Sequence, residues 1–249
     1  MRASALPTLQ LLAQDPPQAD GYLIDLDGTL ISGSSVLAGA IDLLSALHKP
    51  FVILSNDSEH APQFIAGLFR KKGLPLGRRD VILAGAVAIE TIAERSPGAS
   101  VMLLGSPALA ILAQKLGLRL HMSNPDIVLV ARDRTFTFDK LAAAAAAVRR
   151  GARVVLACPD TSHPGPNGDP VPEAGALAAA LFACAGPTPY EVIGKPEALM
   201  FTIGCERLGV APARCLMIGD NPSTDGVGAS RAGIAFCQVA GTTDMALAS

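Results

Sequence analysis

Four turns carry the side chains with chemistry in reach. In Leu23-Ile24-Asp25-Leu26-Asp27-Gly28-Thr29-Leu30 an apolar run delivers two carboxylates and then breaks at a glycine, and Phe51 to Leu54 leads in the same way to Ser55, Asn56 and Asp57. Ile193-Gly194-Lys195-Pro196 places a cation on a glycine-flanked turn, while Cys215 to Ile218 runs into Gly219 and Asp220 with a further acid at Asp225. Ligands bind parallel sheets at the carboxyl ends of the strands, which is where Asp25, Ser55 and Asp220 fall if these apolar runs are strands. A pair of carboxylates can divide attack and proton transfer, a further acid offers oxygen to a hard cation, and a hydroxyl with a lysine can hold an anion. Each group also has a plainer reading. Acids end strands, Ser55 and Asp225 suit helix caps, and a turn lysine is commonly solvated.

Positioning such groups calls for strands alternating with helices. Short apolar runs at 22–26, 51–55, 101–104, 127–131, 154–157, 215–218 and 234–237 are bounded by Gly, Pro and Asp and separated by helical stretches. That alternation predicts an α/β fold with parallel sheets covered on both faces. The clearest helix spans 138–150, with Thr137 as cap, Asp139 near its positive end, Arg149 and Arg150 near its negative end, and Gly151 to close it. Further helices are expected at 38–47, 62–72, 86–95, 107–116, 175–185, 197–208 and 223–232. The stretch 158–173 holds five prolines, two glycines and His163. It reads as a long loop without regular structure, and loops of that length in a compact enzyme are usually functional.

Taken together and in this order, the four turns resemble the haloacid dehalogenase superfamily of phosphatases. D-x-D-G-T-L is similar to its nucleophile motif, Ser55 to its phosphate-binding hydroxyl, Lys195 to its phosphate-clamping lysine, and G-D-x-x-x-T-D at Gly219 to Asp225 to its metal motif. The resemblance implies a Rossmann-like core and a Mg²⁺-dependent phosphohydrolase. In it Asp25 attacks phosphorus to give an aspartyl-phosphate. Asp27 protonates the leaving oxygen and then activates water, and Ser55, Asn56 and Lys195 hold the phosphate. Asp25, the carbonyl of Asp27 and Asp220 would ligate Mg²⁺, with Asp225 supporting the site from behind. Phosphoryl transfer needs chiefly an in-line nucleophile and neutralised equatorial oxygens, which this set supplies.

Lys195 follows Ser55 by 140 positions, too many for one connecting helix. A second α/β domain is therefore expected between them: a core of 1–83 with 193–249, and an inserted cap of 84–192. The insertion point, Arg132 to Leu141 and Cys158-Pro159-Asp160 look like the cap of the NagD-like branch, which includes nucleotide, phosphoglycolate, 4-nitrophenyl phosphate and pyridoxal phosphate phosphatases. Asp160-Thr-Ser-His163-Pro164 is similar to the cap stretch of the last of these, so Asp160 and His163 are candidate substrate contacts; a solvated loop histidine is the alternative. The Pro-rich loop 160–172 is expected to face Asp25. Relatives usually carry Asn at the position of Asp57, and the extra carboxylate leaves two outcomes open for the phosphate cradle, weaker binding or a shifted choice of substrate.

Half of the 249 residues are apolar, enough for a real core, and the formal charge of −2 leaves no electrostatic footprint for a nucleic acid polymer. Five cysteines without a C-x-x-C pair read as reduced thiols in a cytoplasmic protein, and the prolines of residues 1–20 argue against a membrane segment. The resemblance implies a small phosphorylated metabolite as partner, with a homodimer through the cap as a candidate assembly. Carbon–halogen hydrolysis is disfavoured by Asp27 and Asp220. Transfer of the phosphoryl group to a second substrate and a non-catalytic ligand-binding role remain as alternatives, the latter disfavoured by the retention of Asp25, Asp220 and Lys195.

Overall fold

The computed structural model describes residues 6–33, 35–165 and 169–241. Helix α1 (Leu9–Gln14) precedes strand β1 (Gly21–Asp25), the small hairpin of β2 (Ile31–Ser32) and β3 (Ser35–Val36), helix α2 (Ala40–Ala46) and strand β4 (Phe51–Ser55). Then come α3 (Pro62–Arg70), β5 (Val81–Leu83), α4 (Ala84–Arg95), β6 (Ser100–Leu104), α5 (Pro107–Lys115), β7 (Arg119–Leu120), β8 (Ile127–Val130), α6 (Phe138–Arg149) and β9 (Arg153–Leu156). The chain continues through β10 (Ser162–Pro164), β11 (Pro170–Pro172), α7 (Ala174–Ala185) and β12 (Tyr190–Val192). It closes with α8 (Ala198–Leu208), β13 (Cys215–Gly219), a π-helical turn (Pro222–Gly226), α9 (Val227–Arg231) and β14 (Ala235–Gln238).

Two compact units result: Met1–Ser55 with Gln63–Ile82 and Lys195–Ser249, and Asn56–Pro62 with Leu83–Gly194. The first is built on a sheet of order β14-β13-β1-β4-β5, in which β1 runs parallel to β13 and β4, and β13 parallel to β14. All five residues of β1 are buried, as a central parallel strand covered on both faces requires. Helix α8 lies close over it at Gly204, where an added Cβ would come within 2.7 Å of Leu23. The second unit is built on a separate parallel sheet of order β12-β9-β8-β6-β7. Its alanine-rich α6 buries Ala144, Ala145, Ala147 and Val148 and packs against α7, small side chains letting the helices approach.

Segment 56–62 departs from the expected boundary at 83/84, which had kept it with β4. Its hydrogen bonds run to the second unit instead: Gly85 N–H donates to Asp57 O at 3.1 Å and Arg132 N–H to Ser58 Oγ at 3.0 Å. The stretch 158–173 also corrects its expectation. It contains the antiparallel pair β10–β11, with His163 opposite Val171. Prolines masked the strands in the sequence, yet a two-stranded ribbon has outward-facing positions that need no N–H; residues 166–168 lie outside the described set. The expected helix 223–232 is a π-helical turn followed by the short α9, and α1, β5, β7 and β12 went unforeseen because each is too short to show a period.

Candidate active site

β1 ends at Asp25, and the chain turns at once: Gly28 N–H donates to Ile31 O and Leu30 N–H to Leu26 O, both at 2.8 Å. Gly28 holds φ +88°, and a Cβ there would stand 2.5 Å from Asp220 Oδ2, so the turn both needs left-handed backbone and brings the chain against the second motif. Asp27, beyond the strand, accepts a hydrogen bond from Ser55 Oγ at 2.9 Å. The nucleophile motif and the hydroxyl at the end of β4 therefore meet directly.

Lys195 is buried at the centre. Its Nζ donates to Asp25 Oδ1 at 2.5 Å, to Asp225 Oδ1 at 2.7 Å and to Leu54 O at 3.4 Å. Burial alone would lower the lysine pKa, but the charges of Asp225 and Asp25 outweigh it and raise it. The lysine stays cationic. Single carboxylate oxygens of Asp25, Asp220 and Asp225 lie within 4.8 Å of one another, and Asp25 Oδ2 is buried without a hydrogen-bond partner among the described residues. Burial, reinforced by the charge of Asp25, pushes Asp220 up to about 6. Burial likewise raises Asp225 to about 7, Lys195 opposing the rise. Crowded acids and one orphaned oxygen are what a site for a hard cation looks like, and an all-oxygen donor set suits Mg²⁺.

Thr29 fixes Asp220 in place: its hydroxyl donates to Asp220 Oδ1 at 3.3 Å and accepts from Asp220 N–H at 3.1 Å. Asp225 is pinned from behind by Gly219, where a Cβ would stand 2.3 Å from its Oδ2. The sequence reading gave Thr29 no role beyond its turn. Only its partner across the fold, 191 positions away, reveals one.

Within the second unit, Asn56 Nδ2 donates to Asp160 Oδ2 at 2.9 Å. Asp57 bonds within its own segment. Its Oδ1 accepts from the N–H groups of Glu59 and His60 at 2.7 and 2.8 Å, and its Oδ2 lies 2.7 Å from His60 Nδ1, so the carboxylate shapes its own segment. His163 Nδ1 lies 2.7 Å from Glu173 Oε1, and Arg132 Nη1 bridges Glu59 Oε2 at 3.2 Å and Glu173 Oε1 at 3.3 Å. Burial, with Asp57, Asp160 and Glu59 nearby and Arg132 opposing, pushes Glu173 up to about 7. Glu59, Arg132 and Glu173 were missed as a group because they lie far apart in the chain. Cys158 is a buried thiol whose pKa burial raises, inert as a nucleophile.

The model of the haloacid dehalogenase-like hydrolases matches residues 19–233. This chain belongs to that family. The hydrolase is 32% identical over 212 residues to the acid sugar phosphatase of Staphylococcus aureus, covering 84% of this chain and 81% of the relative. It superposes on a solved structure described as a nagD protein with TM-score 0.82 at 31% identity, over 88% of this chain and 87% of the other. On the glycerol phosphate phosphatase of Mycobacterium tuberculosis in complex with magnesium, the TM-score is 0.80 at 31% identity, over 90% of this chain and 68% of that one. The hydrolase is thus a phosphatase of the NagD-like branch, with the α/β core and cap architecture of the family. Among its described residues no helix is long and apolar enough to cross a membrane.

Proposed function

We propose that this hydrolase dephosphorylates a small phosphomonoester through an aspartyl-phosphate on Asp25, with Mg²⁺ as cofactor. The observation that carries the reading is the buried Asp25 carboxylate: Lys195 holds one oxygen at 2.5 Å, and the other is buried without a partner among the described residues, beside Asp220 and Asp225. An oxygen left in that state is poised to bond something other than protein.

In the first step Asp25 attacks phosphorus as the ester oxygen leaves, and Asp27 gives that oxygen its proton. In the second, Asp27 takes a proton from water as the water oxygen attacks the same phosphorus, freeing Asp25 and releasing phosphate. Ser55, already within hydrogen-bond distance of Asp27, and Lys195 hold phosphate oxygens, together with the backbone at Asn56. Asp25, the carbonyl of Asp27 and Asp220 would hold Mg²⁺, and Asp225 would keep Lys195 in register. The metal, when bound, offsets the negative charge gathered between the carboxylates and the phosphate. His163 and Asp160 are assigned to the part of the substrate that is not phosphate, with chemistry given to the first unit and choice of substrate to the second. Relatives named for acid sugar and glycerol phosphate substrates support a small polar ester.

A phosphate-release screen with Mg²⁺ over sugar phosphates, glycerol phosphate, phosphoglycolate, nucleotides, pyridoxal phosphate and p-nitrophenyl phosphate tests the reading. Asp25→Asn should release none from any substrate while keeping the wild-type circular dichroism. Turnover by that variant would remove the aspartyl-phosphate route.

A further inference from the structure

Ser55 closes β4, and the next residue begins segment 56–62, which is built into the second unit by a run of bonds to one arginine. Arg132 follows β8 by two residues. Its backbone N–H donates to Ser58 Oγ at 3.0 Å and to Ser58 O at 3.3 Å, and its guanidinium reaches Glu59 Oε2 at 3.2 Å. The same Nη1 lies 3.3 Å from Glu173, the residue that opens α7. Both acids and the arginine are largely shielded, with side-chain exposures of 17%, 13% and 20%, so these pairs are less screened than surface ones. Other residues of the segment are held as well: Asn56 by Asp160, Asp57 O by Gly85 N–H, and Glu59 O by Ser106 Oγ. Of these partners Arg132 alone grips the segment through both backbone and side chain.

We propose that Arg132 is a positioning residue for the phosphate-binding turn: by fixing Ser58 and Glu59 it sets the backbone at Asn56, without touching substrate. The inference rests on the assignment of the Asn56 backbone to phosphate. Its physical basis is that a phosphate held by backbone N–H groups tolerates little displacement, and a misplacement of about 1 Å can cost on the order of 100-fold in rate. An arginine is suited to the task because its planar fork can engage two carboxylates at once.

Two readouts on the full-length protein decide it: hydrogen exchange of residues 56–62 by mass spectrometry, and inhibition of p-nitrophenyl phosphate hydrolysis by inorganic phosphate. Arg132→Met should speed exchange in 56–62 while leaving β8 and β9 protected, and should raise the phosphate Ki and the KM together by about 10- to 100-fold, the usual worth of a hydrogen bond to a charged group. kcat should fall less. Arg132→Lys, which keeps the charge, should recover part of both effects even if the Met variant folds poorly, and Glu59→Gln should move both in the same direction as Arg132→Met. Unchanged exchange in 56–62 would overturn the proposal. So would an unchanged phosphate Ki beside a raised KM, since Arg132 would then contact the ester's other end. A wild-type protein that releases phosphate from no ester would sink the phosphatase reading, while the exchange comparison would still decide whether Arg132 holds the segment.

Discussion

On the proposed reading, Lys195 would serve chemistry and stability together. It sits between Asp25 and Asp225, all three buried, so removing its charge leaves two carboxylates without compensation. Breaking a buried ion pair at one partner typically costs about 3–5 kcal/mol. Lys195→Met is expected to lose stability of that order in urea denaturation as well as turnover; a variant with wild-type stability would mean that the carboxylates are relieved by some other group. Asp27 is different, since it lies outside β1 and its measured loss should be catalytic. Asp27→Asn should keep the wild-type melting temperature and reduce phosphate release by about 10²- to 10⁴-fold, the usual worth of one general acid/base. A fall below tenfold would reassign proton transfer to another group.

Among the elements, segment 56–62 carries a titratable pair of its own. The hydrogen bond and charge of Asp57 raise the pKa of His60 above its ordinary 6.5, burial opposing. Burial would raise Asp57, but the hydrogen bond and charge of His60 and the N–H groups of Glu59 and His60 outweigh it and lower the pKa from 3.8. A raised histidine pKa adds stability that is fully present below about 6.5 and fades as pH climbs through the folded value. A lowered aspartate pKa adds stability present above about 3.8 and lost as pH falls below it. The two windows overlap between about pH 4 and 6.5. Thermal melts should therefore show the gap between wild type and His60→Ala widest there and narrowing toward pH 8. A gap of constant size across that range would dissolve the pairing. The bond from Arg132 to Glu59 does not depend on the His60 ring and should persist in the His60 variant.

On the scale of the molecule, the proposed metal ligands Asp25 and Asp220, whose carboxylates lie close together, would tie chemistry to metal supply. EDTA should abolish phosphate release and added Mg²⁺ restore it. Because a ligand that binds only the folded state stabilises it by about 2.7 kcal/mol at a hundredfold excess over its Kd, Mg²⁺ should also raise the melting temperature of wild type. Asp220→Asn should lose most of that rise; an equal rise in both proteins would place the ion elsewhere. Much of this was legible in the sequence. The apolar runs into Asp25, Ser55 and Asp220 marked strands because buried parallel strands read as continuous hydrophobic stretches, and the order of the four turns carried the family. The same reading could not see Thr29 against Asp220, Glu173 beside His163, or Arg132 between Glu59 and Glu173. Nor could it tell that Asp57 would turn inward to its own segment and that residues 56–62 would join the second unit. Periodicity and motif spacing are local, so they report which residues form an element and which chemistry a turn can offer. Which polar groups satisfy one another depends on chain segments up to 191 positions apart arriving at the same place, and only the folded chain decides that.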